Sequence, residues 1–160
     1  MERSDVKNII IYYKNIPEML EIFLKQHREL CNTYYNSARA INIDGMPHGT
    51  SVSNPSEVLG IKAAESNASE MIREIEQNIR ILEADHAFIR RCLDQINGRY
   101  KKLIIYKLLR EYNWAKISYI LSEKESTCRY RFDIALDRLG EQFDEHKNAE
   151  ELKKKALRAR

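Results

Sequence analysis

Along the first forty residues, apolar or aromatic side chains recur at Ile9, Tyr13, Ile16, Leu20, Phe23, Leu30, Tyr34 and Ile41, with His27 filling one step, in alternating intervals of four and three. That spacing keeps one narrow stripe of a helix apolar, the pattern of a coiled-coil seam. Asn15-Ile16-Pro17-Glu18 reads as a capping box with proline in its first turn, so a short helix breaking near Asn15 and a long one ending near Ile41 are expected. The periodicity then stops. Residues 42–54 concentrate glycine, proline, serine and asparagine and form a loop, and Asn54-Pro55-Ser56-Glu57 supplies a cap, a first-turn proline and an early glutamate for the next helix.

A second, longer seam follows through Ala68, Ile72, Ile75, Ile79, Leu82, His86, Ile89, Leu93 and Ile96. Two long helices with narrow seams fold back as a hairpin, associate with a second copy, or do both. Ile72, Ile75, Ile79, Leu82 and Ile89 are the residues expected to carry self-association, making the protein a homo-oligomer. His27 and His86 sit in the seams, where a tolerated polar residue is the simpler reading and a pH-sensitive or register-setting site the sharper one. Asn97-Gly98 interrupts the pattern and marks the expected boundary between a helical arm, residues 1–97, and a head, residues 98–147.

The head holds three short helical patterns. The first lies in RYKKLIIYKLLREY, the second runs from Trp114 to Leu121 behind Asn113 as cap, and the third covers about Lys124 to Phe143. The remaining residues, 148–160, form a charged tail with too little apolar surface to require burial. The fold class is therefore all-α: a long helical hairpin or coiled-coil arm followed by a C-terminal helix-turn-helix head.

A helix-turn-helix needs a first helix packed on a second, a tight turn, and an outward face near the second helix's N-terminus that reaches base edges in the major groove. Ile117, Ser118, Leu121, Ser122, Thr127 and Cys128 fall where such a motif places its aliphatic and small residues. With Cys128 inward, Phe132, Ala135, Leu136 and Leu139 share its face, whereas Ser126, Tyr130, Asp133 and Asp137 point away. Ser126, Thr127 and Tyr130 are the candidate base readers, and Lys124, Arg129 and Arg131 the candidate guanine or phosphate contacts. Lys124 is an unusual cap, and Ser122-Glu123-Lys124-Glu125 offers a capping box that would start the helix two residues early. A plain packed helix pair remains the competing reading.

Charge sharpens this picture. The net +3 divides unevenly: up to Asn97 there are 11 Lys and Arg against 14 Asp and Glu, and beyond it 16 against 10, so the head and tail carry +6. A basic C-terminal region suits double-stranded DNA. The sequence has no Gly-rich phosphate loop and no nucleophile motif, so neither an enzyme nor a cofactor is expected. Glu74 with Glu76 and Glu83 with Asp85 stand two apart and read as solvated surface. Cys31, Cys92 and Cys128 lack paired spacing and read as buried thiols; His27 with Cys31 makes at most half a metal site, so no metal is expected. No apolar run approaches the ~20 residues of a membrane span and MERSDVKN lacks a signal peptide's apolar core, so no membrane partner and a cytosolic location are expected.

Three segments together, DGMPHG (Asp44 to Gly49) with its polar loop, the long heptad helix, and LIIYKLLREYNWAKISYILSEKESTCRYRFDIALDRL, give a resemblance. The chain resembles phage late-gene transcription regulators of the ArpU and RinA type, whose C-terminal domain is similar to the helix-turn-helix of sigma-factor region 4. That resemblance implies a dimeric activator encoded by a phage or prophage of Gram-positive bacteria, acting in the host cytoplasm with RNA polymerase. A small terminase-like packaging adaptor and a sigma-like polymerase subunit are the alternative functions.

Overall fold

The computed structural model describes the backbone of residues 1–40 and 55–158 and the side chains of residues 1–34 and 67–158. Every regular element among them is helical, so the protein is all-α. The elements are α1 (Arg3–Ala40), α2 (Pro55–Gln95), α3 (Gly98–Ile104), α4 (Trp114–Leu121), α5 (Glu125–Asp144) and α6 (Ala149–Arg158), with a π-helical turn, Ile105–Leu109, directly after α3. The segment at residues 44–49 lies outside the described residues.

The break expected near Asn15 does not occur. α1 runs unbroken with Pro17 inside it, because the apolar periodicity continues on both sides and Pro17 itself is exposed. The missing N–H and ring crowding of a proline there oppose the helix, and burial of Ile16 next to it favours it. The chain separates into two compact units, residues 1–18 with 83–160, and residues 19–82. The ends of the two long helices thus belong with the short helices, a different division from an arm ending at Asn97.

In the first unit the core is built by Val6, Ile9, Ile10, Tyr12 and Ile16 of α1, Ile89, Cys92, Leu93 and Ile96 from the end of α2, and Leu103 and Ile104 of α3. Ile117 of α4, Cys128, Phe132, Ala135, Leu136, Leu139 and Phe143 of α5, and Leu152 and Ala156 of α6 complete it. The buried stripe of α1 is wide, with Val6, Ile10 and Tyr12 beside the seam positions, as in a helix packed in a globular core and not in a two-stranded coil. Gly140 is a close-approach site: a Cβ there would lie 3.1 Å from the Met1 carbonyl oxygen and 3.4 Å from Val6 Cγ2.

The charged tail is a helix with a buried face. α6 buries Leu152 and Ala156, one turn apart, and Lys155 Nζ donates to Asp85 Oδ2 at 3.0 Å. Asp85, read from sequence as surface, is itself buried and accepts from the Tyr12 hydroxyl at 2.9 Å. Two apolar positions were too few to signal burial without the acidic partner.

The second unit contains the rest of the two long helices. Its described apolar residues are less covered: Leu20, Phe23, Leu30, Ile72, Ile75 and Ile79 are part-exposed, Leu82 is buried, and Ile22 and Met71 are 51% and 52% exposed. A groove of about 480 Å³ in this unit is lined by Phe23, Leu30, Met71 and Ile75 among others. His27 Nε2 lies 3.3 Å from Glu76 Oε1 and 3.8 Å from Cys31 Sγ.

Candidate nucleic-acid interface

The site grows from two short helices joined by a three-residue connection. Asn113, in extended conformation, starts α4 by accepting a hydrogen bond from the Lys116 N–H at 2.8 Å, as its sequence position predicts. Ser122 ends α4 in the left-handed region at φ 52°, ψ 41°. This excludes the capping box at residues 122–125, because a cap residue starting a helix needs extended backbone. Instead, the Ser118 hydroxyl donates to the Glu123 carbonyl and the Glu123 N–H donates to the Ser118 carbonyl at 3.1 Å, closing the turn. α5 then begins at Glu125 behind Lys124, whose backbone is extended but whose side chain makes no capping bond.

Glu123 organises the approach of α5 to α3. It is 17% exposed, and its Oε1 accepts from Arg131 and lies 3.3 Å from Arg99 Nη1 of α3, while Oε2 is buried without a partner. The turn carboxylate therefore ties α5 back to α3. Arg131, expected as a free guanine or phosphate contact, is part-buried with its guanidinium already on Glu123. Sequence inspection missed Glu123 because its role depends on α3 and α5 meeting there, and α3 packs against α5.

The other expected contact residues lie at the surface or close to it. Lys124, Ser126, Arg129 and Tyr130 are exposed, Tyr130 at 68%, and Thr127 is half-buried. Arg129 Nη2 is 3.4 Å from Glu125 Oε2, and its guanidinium carbon stands 5.4 Å from the centre of the Trp114 ring. Trp114 packs edge-on against Phe132 with centroids 5.4 Å apart, and Lys107 Nζ lies 5.2 Å from the same ring. Tyr119 of α4 is 86% exposed, an aromatic ring for which the core offers no burial.

Asp133 and Asp137 do not stand free on the outward face. Arg3 of α1 grips Asp137 through two hydrogen bonds, at 2.6 and 2.7 Å, and lies 3.2 Å from Asp133. The hydrogen bond to Asp137 and the nearby carboxylates raise the Arg3 pKa, and the Arg3 hydrogen bond lowers that of Asp137. One guanidinium from another helix thus offsets one of the two negative charges that would repel a phosphate backbone, and the first two turns of α5 remain its cationic part.

Around these turns lie two shallow grooves. One, about 400 Å³, is lined by Asn97, Arg99, Tyr100 and Arg131, with the Arg138 guanidinium 4.7 Å from the centre of the Tyr100 ring. The other, about 390 Å³, is lined by Lys7, Lys107, Leu108, Trp114, Arg129, Phe132 and Asp133. Arg99, Arg138 and Lys7 were not singled out in the sequence, where nothing links residues of α1 and α3 to α5, and Lys107 is read there only as lying on or near the buried face of its helix.

The expected association residues divide between the units. Ile72, Ile75 and Ile79 keep part of their surface, whereas Leu82 is nearly covered and Ile89 is fully buried in the core of the first unit, which leaves Ile89 no surface for a second chain. Among the described residues no group of three His, Cys, Asp or Glu side chains is arranged to hold a metal ion, and no helix is long and apolar enough to cross a membrane.

Fold and site together define an all-helical protein with a cation-flanked surface on its α4–α5 pair. Compared with known proteins, the chain matches no protein-family model, no curated protein and no solved structure.

Proposed function

We propose that the protein is a sequence-specific regulator of transcription that binds double-stranded DNA through the α4–α5 pair. The observation that carries this reading is the exposed strip of Ser126 and Tyr130 at the start of α5, flanked by Arg129 on one side and Arg131 on the other. Hydroxyl and phenol groups there can exchange hydrogen bonds with base edges, while Arg129 and Lys124 supply charge for phosphate. The narrower role, an activator of phage late genes acting with RNA polymerase, rests on the resemblance of residues 44–49 with their polar loop, the long heptad helix and residues 103–139, taken together, to that family of regulators. Self-association through the second unit would place two such strips on one DNA molecule, the arrangement that matches a two-fold operator.

The test is enrichment of duplexes from a random-sequence pool by the purified chain, followed by gel shift and footprinting with and without RNA polymerase. One enriched sequence, bound without polymerase far more tightly than a scrambled duplex, is the expected result. Equal binding to all duplexes, or none, overturns the reading; binding only in the presence of polymerase would favour a sigma-like subunit.

A further inference from the structure

The two cationic grooves bear a definite relation to the exposed strip of α5. Stepping about 100° per residue from Ser126, Tyr130 lies about 40° round the helix, Thr127, Arg131 and Arg138 at about 100–140°, and Arg129 about 60° in the opposite direction. The strip therefore runs between two flanks. One carries Arg131 and Arg138 with Arg99 of α3 and the Tyr100 ring; the other carries Arg129 with Lys107, Lys7 of α1 and the Trp114 ring.

Each flank keeps surplus positive charge. On the first, Glu123 is the acid paired with Arg99 and Arg131, while Arg138 rests on an aromatic face. On the second, Arg3 is shared between Asp137 and Asp133 and Arg129 lies 3.4 Å from Glu125, so the four cations Arg3, Lys7, Lys107 and Arg129 outnumber those three carboxylates, with Lys107 and Arg129 near the indole of Trp114. A helix with its side chains is about 10–12 Å across and the major groove about 12 Å wide, so a helix lying in it has one sugar-phosphate strand on each side. We propose that the two grooves seat the phosphates of the two DNA strands, Arg99 and Arg138 on one strand and Lys7 and Lys107 on the other, with the exposed strip of α5 between them.

This inference rests on the DNA-binding reading and goes beyond it by assigning four residues outside the first two turns of α5. It is tested with the full chain and the variants Arg99→Ala, Arg138→Ala, Lys7→Ala and Lys107→Ala, each confirmed as folded by thermal melting. Binding to a duplex enriched by the wild type and to a scrambled duplex is titrated over a range of salt, and phosphate ethylation interference is mapped on each strand. Each variant should weaken binding to both duplexes alike and lower the steepness of log K against log salt by about 0.9 for each phosphate no longer neutralised. Arg99→Ala and Arg138→Ala should erase interference on one strand, Lys7→Ala and Lys107→Ala on the other, and Arg99→Lys should restore the salt slope. Should Lys107→Ala fold poorly, Lys7→Ala reads the same flank.

Wild-type salt slopes in all four variants, or interference erased on the same strand by both pairs, would overturn the two-strand assignment while leaving DNA binding intact. Binding of a polyglutamate peptide that Arg99→Ala and Lys7→Ala abolish, with duplex affinity and salt slope unchanged in the same variants, would assign the grooves to an acidic protein partner instead. If the wild type enriches no duplex, the DNA-binding reading itself fails and this inference falls with it.

Discussion

Asp85 carries a carboxylate into the core because two donors from other helices meet it there, the Tyr12 hydroxyl and the Lys155 ammonium. Burial first, then the Asp85 charge and its hydrogen bond, raises the Tyr12 pKa above its ordinary value of 10.0. The folded chain therefore holds this proton more tightly than the unfolded chain does. The stabilisation is complete below about pH 10 and is lost as pH rises above it, so stability should fall in that range, and less steeply in Tyr12→Phe, as urea titrations at several pH values would record. At neutral pH Tyr12→Phe should cost about 1.5–3 kcal/mol, the worth of a hydrogen bond to a charged group. Trp114→Ala should cost about 3 kcal/mol, the low end for a large aromatic because Trp114 is only part-buried. A variant that melted like wild type yet lost DNA binding would make Trp114 a contact residue. Neither role of Asp85 could be read from the sequence, where Glu83 and Asp85 are a carboxylate pair two apart and the donors lie 73 and 70 residues away. The seam histidines were placed correctly along their helices but not matched to partners: His86 stacks on Tyr13 at 4.7 Å, and His27 faces Glu76. Burial raises the Cys92 thiol from its ordinary value of 9.0 to about 11, further from the reactive thiolate.

Among the elements, α4 and α5 were the most legible, with both ends within a residue of expectation, because Asn113 is a capping residue and the apolar spacing is continuous. The end of α3 was not. No glycine or proline marks it, yet the helix widens into a π-turn closed by the Arg110 N–H on the Ile105 carbonyl at 2.9 Å, and Glu111 takes φ 55° with its carboxylate 2.6 Å from Lys14. Left-handed backbone costs a non-glycine residue about 1–2 kcal/mol. At Ser122, glycine should therefore leave stability unchanged or raise it by up to about 1 kcal/mol, whereas Ser122→Val should lower it by about 1–2 kcal/mol, measured by thermal denaturation. On the outward face of α5, replacing Ser126 or Tyr130 with Ala should relax sequence preference by about 1–3 kcal/mol at one base position while sparing scrambled duplex. Lys124→Ala or Arg129→Ala should weaken binding to every duplex and flatten its salt dependence. Gel-shift titrations of the folded variants on the enriched and scrambled sequences separate the two behaviours; four variants indistinguishable from wild type would leave α4 and α5 as a packed pair and nothing more.

For the whole molecule, self-association is the property that the second unit's exposed apolar residues bear on. A charge placed in an apolar interface costs several kcal/mol unless it is paired. Ile22→Lys and Met71→Lys should therefore weaken association in sedimentation analysis without unfolding the chain, because both residues are about half exposed. Leu82→Asp is expected to unfold its surroundings instead, since Leu82 is already covered by its own chain. A dimer would fit a regulator, and a ring of subunits a packaging adaptor. By itself the sequence determined the all-α class, the start of α2 and the helices on either side of the turn, and the inward face of α5. These follow from backbone propensity and from spacings of three and four residues, which are local. Tertiary structure alone decided that Arg3 neutralises Asp137 across 134 residues, that Glu123 gathers Arg99 and Arg131, and that a charged tail docks on Asp85. The reason is physical: periodicity tells which face of a helix is apolar, but an ion pair between distant segments exists only where packing has already brought their charges within a few ångströms.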